Sequence, residues 1–212
     1  MRHEKPIVQV AFSPNGRTAL TVSGGGSRPE EEQPSTVRLW DAATGLPLGD
    51  PLSFEKEVRT LIYSPDGSVF VTSAAGTLRL GDGRTGKPIG EPLEYQGSGY
   101  DVRFSPDGKH VLASEGNTVR RWAAATGKPV QPALRHQAKV ERVEFSPDGK
   151  VILTLCRDHS VVLWDAATGA PLGKPLPHAS AVRVVAWGPD RTKLLTGADS
   201  RVRLWTVPRP GE

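Results

Sequence analysis

The chain has 212 residues, enough for one sizeable domain or two small ones. Lys and Arg total 27 against 23 Asp and Glu, and the basic residues are spread out, so no specific nucleic-acid surface is expected. The single Cys156 excludes an intramolecular disulfide and a Cys-rich zinc site, and no apolar run of 18 residues predicts a membrane span. Residues 1–12 lack the apolar segment of a signal peptide, so we expect a cytoplasmic protein.

Three signals recur along the chain. An aromatic residue followed by a Pro-Asn or Pro-Asp turn occurs at Phe12, Tyr63, Phe104, Phe145 and Trp187. A tryptophan follows at Trp40, Trp122, Trp164 and Trp205, and Gly81 stands where one more is expected. Thr-Gly pairs begin at Thr44, Thr85, Thr126 and Thr168, at intervals of 41, 41 and 42 residues. Five units of about 41 residues therefore fill the chain.

The first unit carries a polar insertion. Its aromatic residue and its tryptophan are 28 residues apart, against 18 or 19 in the other units, and the excess is the segment GGGSRPEEEQP at 24–34. Gly24, Gly25 and Gly26 could form an anion nest, and Glu30–Glu32 could attract a cation. No helix pattern follows the glycines, so we favour a flexible solvated loop for both segments.

The elements of one unit are clearest in the fourth. They are the strand VERVEF, the turn SPDG, the strand VILTLC, the turn RDHS, the strand VVLW, the turn DAATG and a short strand through APLGKPL. Such short strands between frequent turns predict an all-β protein. The apolar spacing in the first strand predicts a β-bulge near Glu141-Arg142, and near Arg183-Val184 in the fifth unit.

The second unit contains GDGRTG, which matches the glycine pattern of a dinucleotide-binding loop. Aligned with the other units it falls on WDAATG at 40–45 and 164–169, and Gly86 is the shared turn glycine. The following KPIGEPLEY has two prolines and cannot open the helix that would hold a pyrophosphate. We therefore reject a nucleotide site and expect no cofactor.

The repeat resembles the WD-repeat (WD40) β-propeller family. The residues that carry this resemblance are the SPDG turns, VVLWD at 161–165, VRLW at 37–40 and 202–205, and the 41-residue period. LWDAATGAPLG is similar to the repeats of bacterial proteins, where they often accompany signalling or scaffold modules. The resemblance implies one β-propeller domain over 1–212, with repeats at about 3–53, 54–94, 95–135, 136–177 and 178–208.

The resemblance also implies a buried structural network in each well-preserved blade, made by His, Ser or Thr, Asp and Trp. It is complete in the fourth and fifth units, at His136, Thr154, Asp158 and Trp164 and at His178, Thr196, Asp199 and Trp205. The first unit keeps His3, Thr21 and Trp40, whereas the second has Phe54 and Gly81, and the third has Tyr95, Ala113 and Gly116. The second blade should be the least rigid complete one, and Gly81→Trp should stabilise it unless Phe54 already fills the space.

The number of units leaves the assembly open. Four units are expected to form four-stranded blades, and the fifth lacks its outer strand. Three arrangements fit this count: a tight five-bladed ring, an open arc whose end faces are capped by a second copy, or a segment of a longer protein. An uncapped arc would expose apolar blade faces and self-associate through them.

No catalytic or metal site is predicted. His136, Thr154 and Asp158 could be taken for a nucleophile set, but the same set recurs in the fifth unit, which favours a structural role. Cys156 and His159 lack further metal ligands nearby.

The candidate partner-binding residues are those just upstream of the aromatic positions, which differ among otherwise similar units, and one residue of a neighbouring turn. They are Arg59, Tyr100, Glu141 and Arg183, with Arg157 from the turn; Val8 takes this position in the first unit. The leading hypothesis is a non-catalytic scaffold that binds a protein or peptide on the propeller rim. The alternatives are a docking or sensor segment of a larger signalling protein, such as a kinase-linked module, and a small-molecule-binding or enzymatic propeller.

Overall fold

The computed structural model describes residues 2–24, 34–95 and 101–209, and the regular elements in these ranges are strands of five antiparallel sheets. We call the sheets blade 1 to blade 5 in chain order. Blade 1 contains β1 (Ile7–Phe12), β2 (Thr18–Gly24), β3 (Ser35–Asp41) and β4 (Pro47–Phe54). Blade 2 contains β5 (Val58–Tyr63), β6 (Val69–Ala74), β7 (Thr77–Asp82) and β8 (Pro88–Glu94). Within each blade every strand pairs with the next in sequence, and the all-β prediction is confirmed.

In the remaining blades the fourth strand is short or, among the described residues, absent from the sheet. Blade 3 contains β9 (Val102–Phe104), β10 (His110–Glu115), β11 (Thr118–Ala123) and the two-residue β12 (Leu134–Arg135). Blade 4 contains β13 (Val140–Phe145), β14 (Val151–Cys156) and β15 (Val161–Asp165), and blade 5 contains β16 (Val184–Trp187), β17 (Lys193–Ala198) and β18 (Arg201–Thr206). Within the described ranges no helix is long and apolar enough to cross a membrane.

The outer segment of blade 4 differs from the expected fourth strand. It joins β15 through isolated bridges, Trp164 with Pro171 and Val161 with Leu176. Pro171 and Pro175 have equivalents in β4 and β8, which still pair with the third strands of their blades. Pro177 stands where β4 has Ser53, and it has no backbone N–H to donate to a ladder.

The SPDG turns are built by short side-chain contacts to the backbone. In blade 2, Ser64 Oγ donates to Asp66 Oδ1 at 2.6 Å and accepts from Val69 N at 3.0 Å. Gly67 takes a φ of 73°, a left-handed conformation that glycine adopts without strain. The same hydroxyl contacts recur around Ser146 in blade 4, so the motif fixes the hairpin between the first two strands.

The predicted bulge is present at the start of β13, where the pairing register shifts between Val140 and Arg142. Equivalent shifts occur between Ile7 and Gln9 and between Val58 and Thr60. In blade 5, β16 begins at Val184 after the corresponding Arg183, and its pairing with β17 runs without a register shift.

The described residues fall into two compact units. The first holds blades 1 and 2 with Asp107–His110 and Ala123–Lys128. The second holds Asp101–Pro106, Val111–Trp122 and the chain from Pro129 onward, which includes β12 and blades 4 and 5. Within each unit the apolar core lies between successive blades: one cluster joins blades 1 and 2, another blades 3 and 4, and a third blades 4 and 5. The prediction of a single domain over the whole chain stays a prediction.

Candidate partner-binding rim

Each bulge places one side chain at the end of its blade where the first strand begins. Val8, Arg59 and Glu141 are the extra residues of the three bulges, which the strand register skips, and all three are exposed. A bulge residue leaves the ladder, so its side chain points away from the packed faces. We call this end of each blade, which also holds the turn between its second and third strands, the rim.

The predicted partner-binding residues can be located individually. Arg157 lies in the turn after β14, and its backbone N donates to Lys139 O at 2.8 Å, which brings it to the end of blade 4 that carries Glu141. Arg183 lies at the same end of blade 5, where its N donates to Gly197 O at 3.0 Å. Arg59, Glu141, Arg157 and Arg183 are all exposed. Tyr100, Gly25, Gly26 and Glu30–Glu32 lie outside the described residues.

Three blades contain a hydrogen-bonded Trp–Thr–His chain. In blade 4, Trp164 Nε1 donates to Thr154 Oγ1 at 3.1 Å, and Thr154 Oγ1 lies 2.8 Å from His136 Nε2. In blade 5 the corresponding distances are 2.8 Å, Trp205 to Thr196, and 2.7 Å, Thr196 to His178. In blade 1 they are 2.8 Å, Trp40 to Thr21, and 2.9 Å, Thr21 to His3. These hydrogen bonds connect the loop before the first strand to the second and third strands.

The proton positions in blade 4 follow from the acceptors. His136 Nδ1 lies 3.3 Å from the Asn117 carbonyl, which can only accept, so Nδ1 carries the proton and Nε2 accepts from Thr154. Burial lowers the pKa of His136, which keeps the imidazole neutral. Thr154 is fully buried, so its hydroxyl is a structural link that no substrate could reach as a nucleophile.

The two aspartates of the implied network lie in turns near the histidines of their blades: Asp158 acts electrostatically on His136, and Asp199 lines a pocket together with His178. Asp158 is exposed, and its Oδ1 accepts from Ser160 N at 3.1 Å and from Ser160 Oγ at 2.7 Å. The Ser160 hydroxyl lowers the pKa of Asp158. Asp199 is also exposed and takes a φ of 52° in its turn. The Asp158 carboxylate therefore shapes its rim turn. Nδ1 of His136 and Nδ1 of His178 each lie within hydrogen-bonding distance of a backbone carbonyl.

Blades 2 and 3 have an aromatic ring in place of the histidine. Phe54, at the histidine position of blade 2, is buried, and the Arg79 guanidinium lies 4.9 Å from its ring centroid. Tyr95, at the histidine position of blade 3, is fully buried.

Two charged residues of the second unit were missed by the sequence analysis. Asp101 is buried beside β9, accepts from Val143 N and forms an ion pair with Arg103 at 3.2 Å. Burial raises the pKa of Asp101 to about 6, against the opposing influence of Arg103. Asp101 occupies the repeat position three residues before the aromatic residue of its unit. Gln9 occupies the same position in blade 1 and also contacts the next blade, donating to Val58 O at 2.9 Å.

Arg121 is the other residue that was missed. It is buried, and its guanidinium donates to Ala166 O at 2.7 Å and to Pro132 O at 3.0 Å. The equivalent residues of the other four units are leucines, Leu39, Leu80, Leu163 and Leu204, so the departure is visible in the repeat alignment. Arg121 links β11 to the DAATG turn of blade 4.

Cys156 and His159, the residues considered as metal ligands, lie in one turn, where His159 N donates to Cys156 O at 3.0 Å. Cys156 is buried, and burial raises the pKa of its thiol. Among the described residues, His, Cys, Asp and Glu form no group of three or more that could hold a metal ion.

Comparison with known proteins identifies WD repeats in this chain. The family model described as WD domain, G-beta repeat matches residues 1–41, 94–123, 127–165 and 169–206. An uncharacterized WD repeat-containing protein of Synechocystis sp. is 36% identical over 77 residues, which are 35% of this chain and 19% of that protein. The crystal structure of the computationally designed Ika8 protein matches with a TM-score of 0.70 at 24% identity. That match covers 96% of this chain and 59% of the designed chain, and at this identity it bears on the fold alone.

Proposed function

Since the chain belongs to the WD40 repeat family and has a β-propeller fold, we propose that it is a non-catalytic scaffold that binds a protein or peptide partner at the rim. WD40 repeats generally mediate protein–protein interaction, which supports this class of function. The burial of the Thr hydroxyls in blades 1, 4 and 5 supports a structural role for the groups that resemble a nucleophile set.

The observation that carries the proposal is the exposure of different side chains at one repeated backbone position. The bulge presents Val8 in blade 1, Arg59 in blade 2 and Glu141 in blade 4 while the surrounding fold stays the same. A scaffold that varies the side chains of a constant bulge can select a partner without altering its core. Arg59, Arg157 and Arg183 favour a partner that carries carboxylates.

Pockets at the same end of two blades supply room for partner side chains. One of about 360 Å³ is lined by His178, Asp199, Arg201 and Arg203 of blade 5. In the first unit a larger pocket of about 680 Å³ is lined by Phe54, Lys56, Ala75 and Arg79. Both combine a buried or half-buried ring with two basic side chains and one carboxylate, which is Asp199 in the first and Glu55 in the second.

The test is affinity capture with the intact chain, quantified by mass spectrometry. The rim variant is Arg59→Ala/Arg157→Ala/Arg183→Ala, and the matched control removes three exposed basic residues from the turns at the opposite end of the blades, Arg17→Ala/Lys109→Ala/Lys150→Ala. We expect the captured partners to be lost with the rim variant and retained with the control. Retention of the same partners by the rim variant would refute the choice of the rim.

A second interaction is favoured by a separate observation. Large apolar side chains are exposed on blade 1, at Val10 and Phe12, and on blade 5, at Val202 and Leu204. Apolar surface of this kind marks an association site. We propose that the chain also self-associates through these blade faces.

A further inference from the structure

Successive blades pack through two distinct faces. Between blades 1 and 2, the cluster is formed by Leu20, Val22, Val37 and Leu39 of β2 and β3 against Val58 and Leu61 of β5. Between blades 4 and 5 the same positions meet, with Leu153, Leu155, Val161 and Leu163 on one side and Val185 and Trp187 on the other. We call the first set the outgoing face and the second, on the first strand of the next blade, the incoming face.

The outgoing face of blade 5 is exposed. Cross-strand pairing aligns Leu195 with Leu204 and Gly197 with Val202, as it aligns Leu20 with Leu39 and Val22 with Val37 in blade 1. Val202 and Leu204 are 72% and 64% exposed, whereas Val37 and Leu39 are 1% and 4% exposed. The same positions in blade 4, Val161 and Leu163, are also buried.

The incoming face of blade 1 is exposed as well. Ile7, Val10 and Phe12 stand where blade 2 has Val58, Leu61 and Tyr63, according to their pairing with the second strand. Val10 and Phe12 are 72% and 70% exposed, while Leu61 is 9% exposed and Val58 fully buried. Both faces therefore present large apolar side chains to solvent, which marks them as association sites.

We propose that the outgoing face of blade 5 binds the incoming face of blade 1 of a second copy, head to tail. The inference rests on the self-association proposed above and defines its geometry. The partner of the exposed outgoing face is inferred from the repeat. Between blades 1 and 2 and between blades 4 and 5, an outgoing face packs against an incoming face. Blade 1 presents an exposed incoming face through Val10 and Phe12. The new contact continues an interface that the chain already makes within itself.

This contact is heterologous, because each copy uses a different face. A heterologous contact leaves one outgoing and one incoming face free in every dimer, so assembly continues until the free faces meet. An interface between two identical faces would stop at the dimer.

The test uses sedimentation velocity of the intact chain over a concentration series. The outgoing-face variant is Val202→Glu/Leu204→Lys, and the incoming-face variant is Val10→Lys/Phe12→Glu. The control is Leu46→Glu, because Leu46 is 63% exposed in the turn after β3 and belongs to neither face. We expect the mass of the wild type and of the control to rise with concentration, and each face variant alone to stay monomeric.

Mixing the two face variants gives the decisive result. The mixture retains one intact outgoing face and one intact incoming face, so it should form a one-to-one dimer and nothing larger. Circular dichroism and thermal melting check that each variant is folded; if a charged variant is not, Val202→Thr/Leu204→Gln or Val10→Thr/Phe12→Gln replaces it.

The outcomes separate the two proposals. A wild type that stays monomeric at every concentration would overturn both self-association and its geometry. Assembly that persists in a single face variant, or a mixture that stays monomeric, would overturn the head-to-tail contact while self-association stands. None of these outcomes tests rim binding, because the face variants leave Arg59, Arg157 and Arg183 unchanged.

Discussion

The phenyl ring of Phe70 occupies the space directly over Gly81. The two residues are cross-strand partners in blade 2, and a Cβ atom added to Gly81 would lie 2.1 Å from Phe70 Cζ. The corresponding partners in blade 1 are Ala19 and Trp40. The large and the small residue have therefore exchanged strands, and it is Phe70, not Phe54, that fills the place of the missing indole.

We expect Gly81→Trp alone to destabilise the protein, by about 1–3 kcal/mol or more, because the indole would overlap a packed ring. Phe70→Ala alone should cost about 3–5 kcal/mol by leaving a cavity. The combined variant restores the Ala–Trp arrangement of blade 1 and should be more stable than either single variant. Urea unfolding of all four proteins gives the coupling energy, and additive losses would contradict the exchange.

Thr154→Val should destabilise the protein by about 1–3 kcal/mol for each buried group left without a partner, here Trp164 Nε1 and His136 Nε2. The matched control is Thr72→Val, because Thr72 is equally buried but its hydroxyl donates to Arg79 O at 3.4 Å and has no Trp–His chain. Thermal and urea unfolding compare the two. Equal losses of unfolding free energy in the two variants would show that the Trp–Thr–His hydrogen bonds of blade 4 stabilise the protein no more than an ordinary buried threonine does.

Ala123→Asp should stabilise blade 3. The equivalent Asp41 accepts from Thr44 N at 2.7 Å and from Thr44 Oγ1 at 2.7 Å, and Asp82 makes the same contacts to Thr85. Ala123 precedes the same turn, with Thr126 in place, so a carboxylate there should gain about 1 kcal/mol. Ala123→Asn tests whether the gain comes from the acceptor oxygen, and unfolding midpoints measure both. A midpoint unchanged in both variants would contradict this reason.

Asp101 should make stability depend on pH in a defined direction. Burial raises the pKa of its carboxyl to about 6 in the folded protein, so the folded state holds this proton more strongly than the unfolded chain does. The resulting stabilisation is fully present below the unfolded carboxyl pKa of about 4 and is lost as pH rises through about 6.

The measurement is the unfolding free energy of the wild type and Asp101→Asn at several pH values. The amide side chain of this variant would stay uncharged and could still accept from Val143 N, so the difference between the two proteins isolates the ionisation. The wild type should lose stability relative to the variant between about pH 4 and pH 6. A constant difference across that range would contradict a raised pKa.

Much of this protein could be predicted from its repeats. The 41-residue period, the SPDG turns and the bulge near Glu141 follow from local residue types, because turn geometry and strand alternation are decided within a few residues. Glu141 and Arg157 could be assigned to one end of blade 4 for the same reason. Because the hairpin repeats in the same register, equivalent residues of the other units can be assigned to the same end of their blades.

Other features depended on atoms that are distant in sequence. Asp158 and Asp199 lie in exposed turns, where Ser160 donates to Asp158 and Asp199 takes a left-handed conformation. The raised pKa of Asp101 depends on Val143 and Arg103 and on burial, and Arg121 reaches Ala166 in the next blade. A short motif cannot report such contacts, because they exist only after the blades have packed.

The sequence by itself determined the repeat unit, its strands and turns, and which residue types stand at each equivalent position. Only the tertiary structure decided which of those positions are covered: Leu39 and Leu204 are equivalent in the repeat, yet Leu39 packs against blade 2 and Leu204 faces solvent. It likewise decided that Phe70 replaces a tryptophan from the opposite strand. Burial and packing are properties of neighbouring blades, and identical local sequences acquire different environments according to what lies beside them.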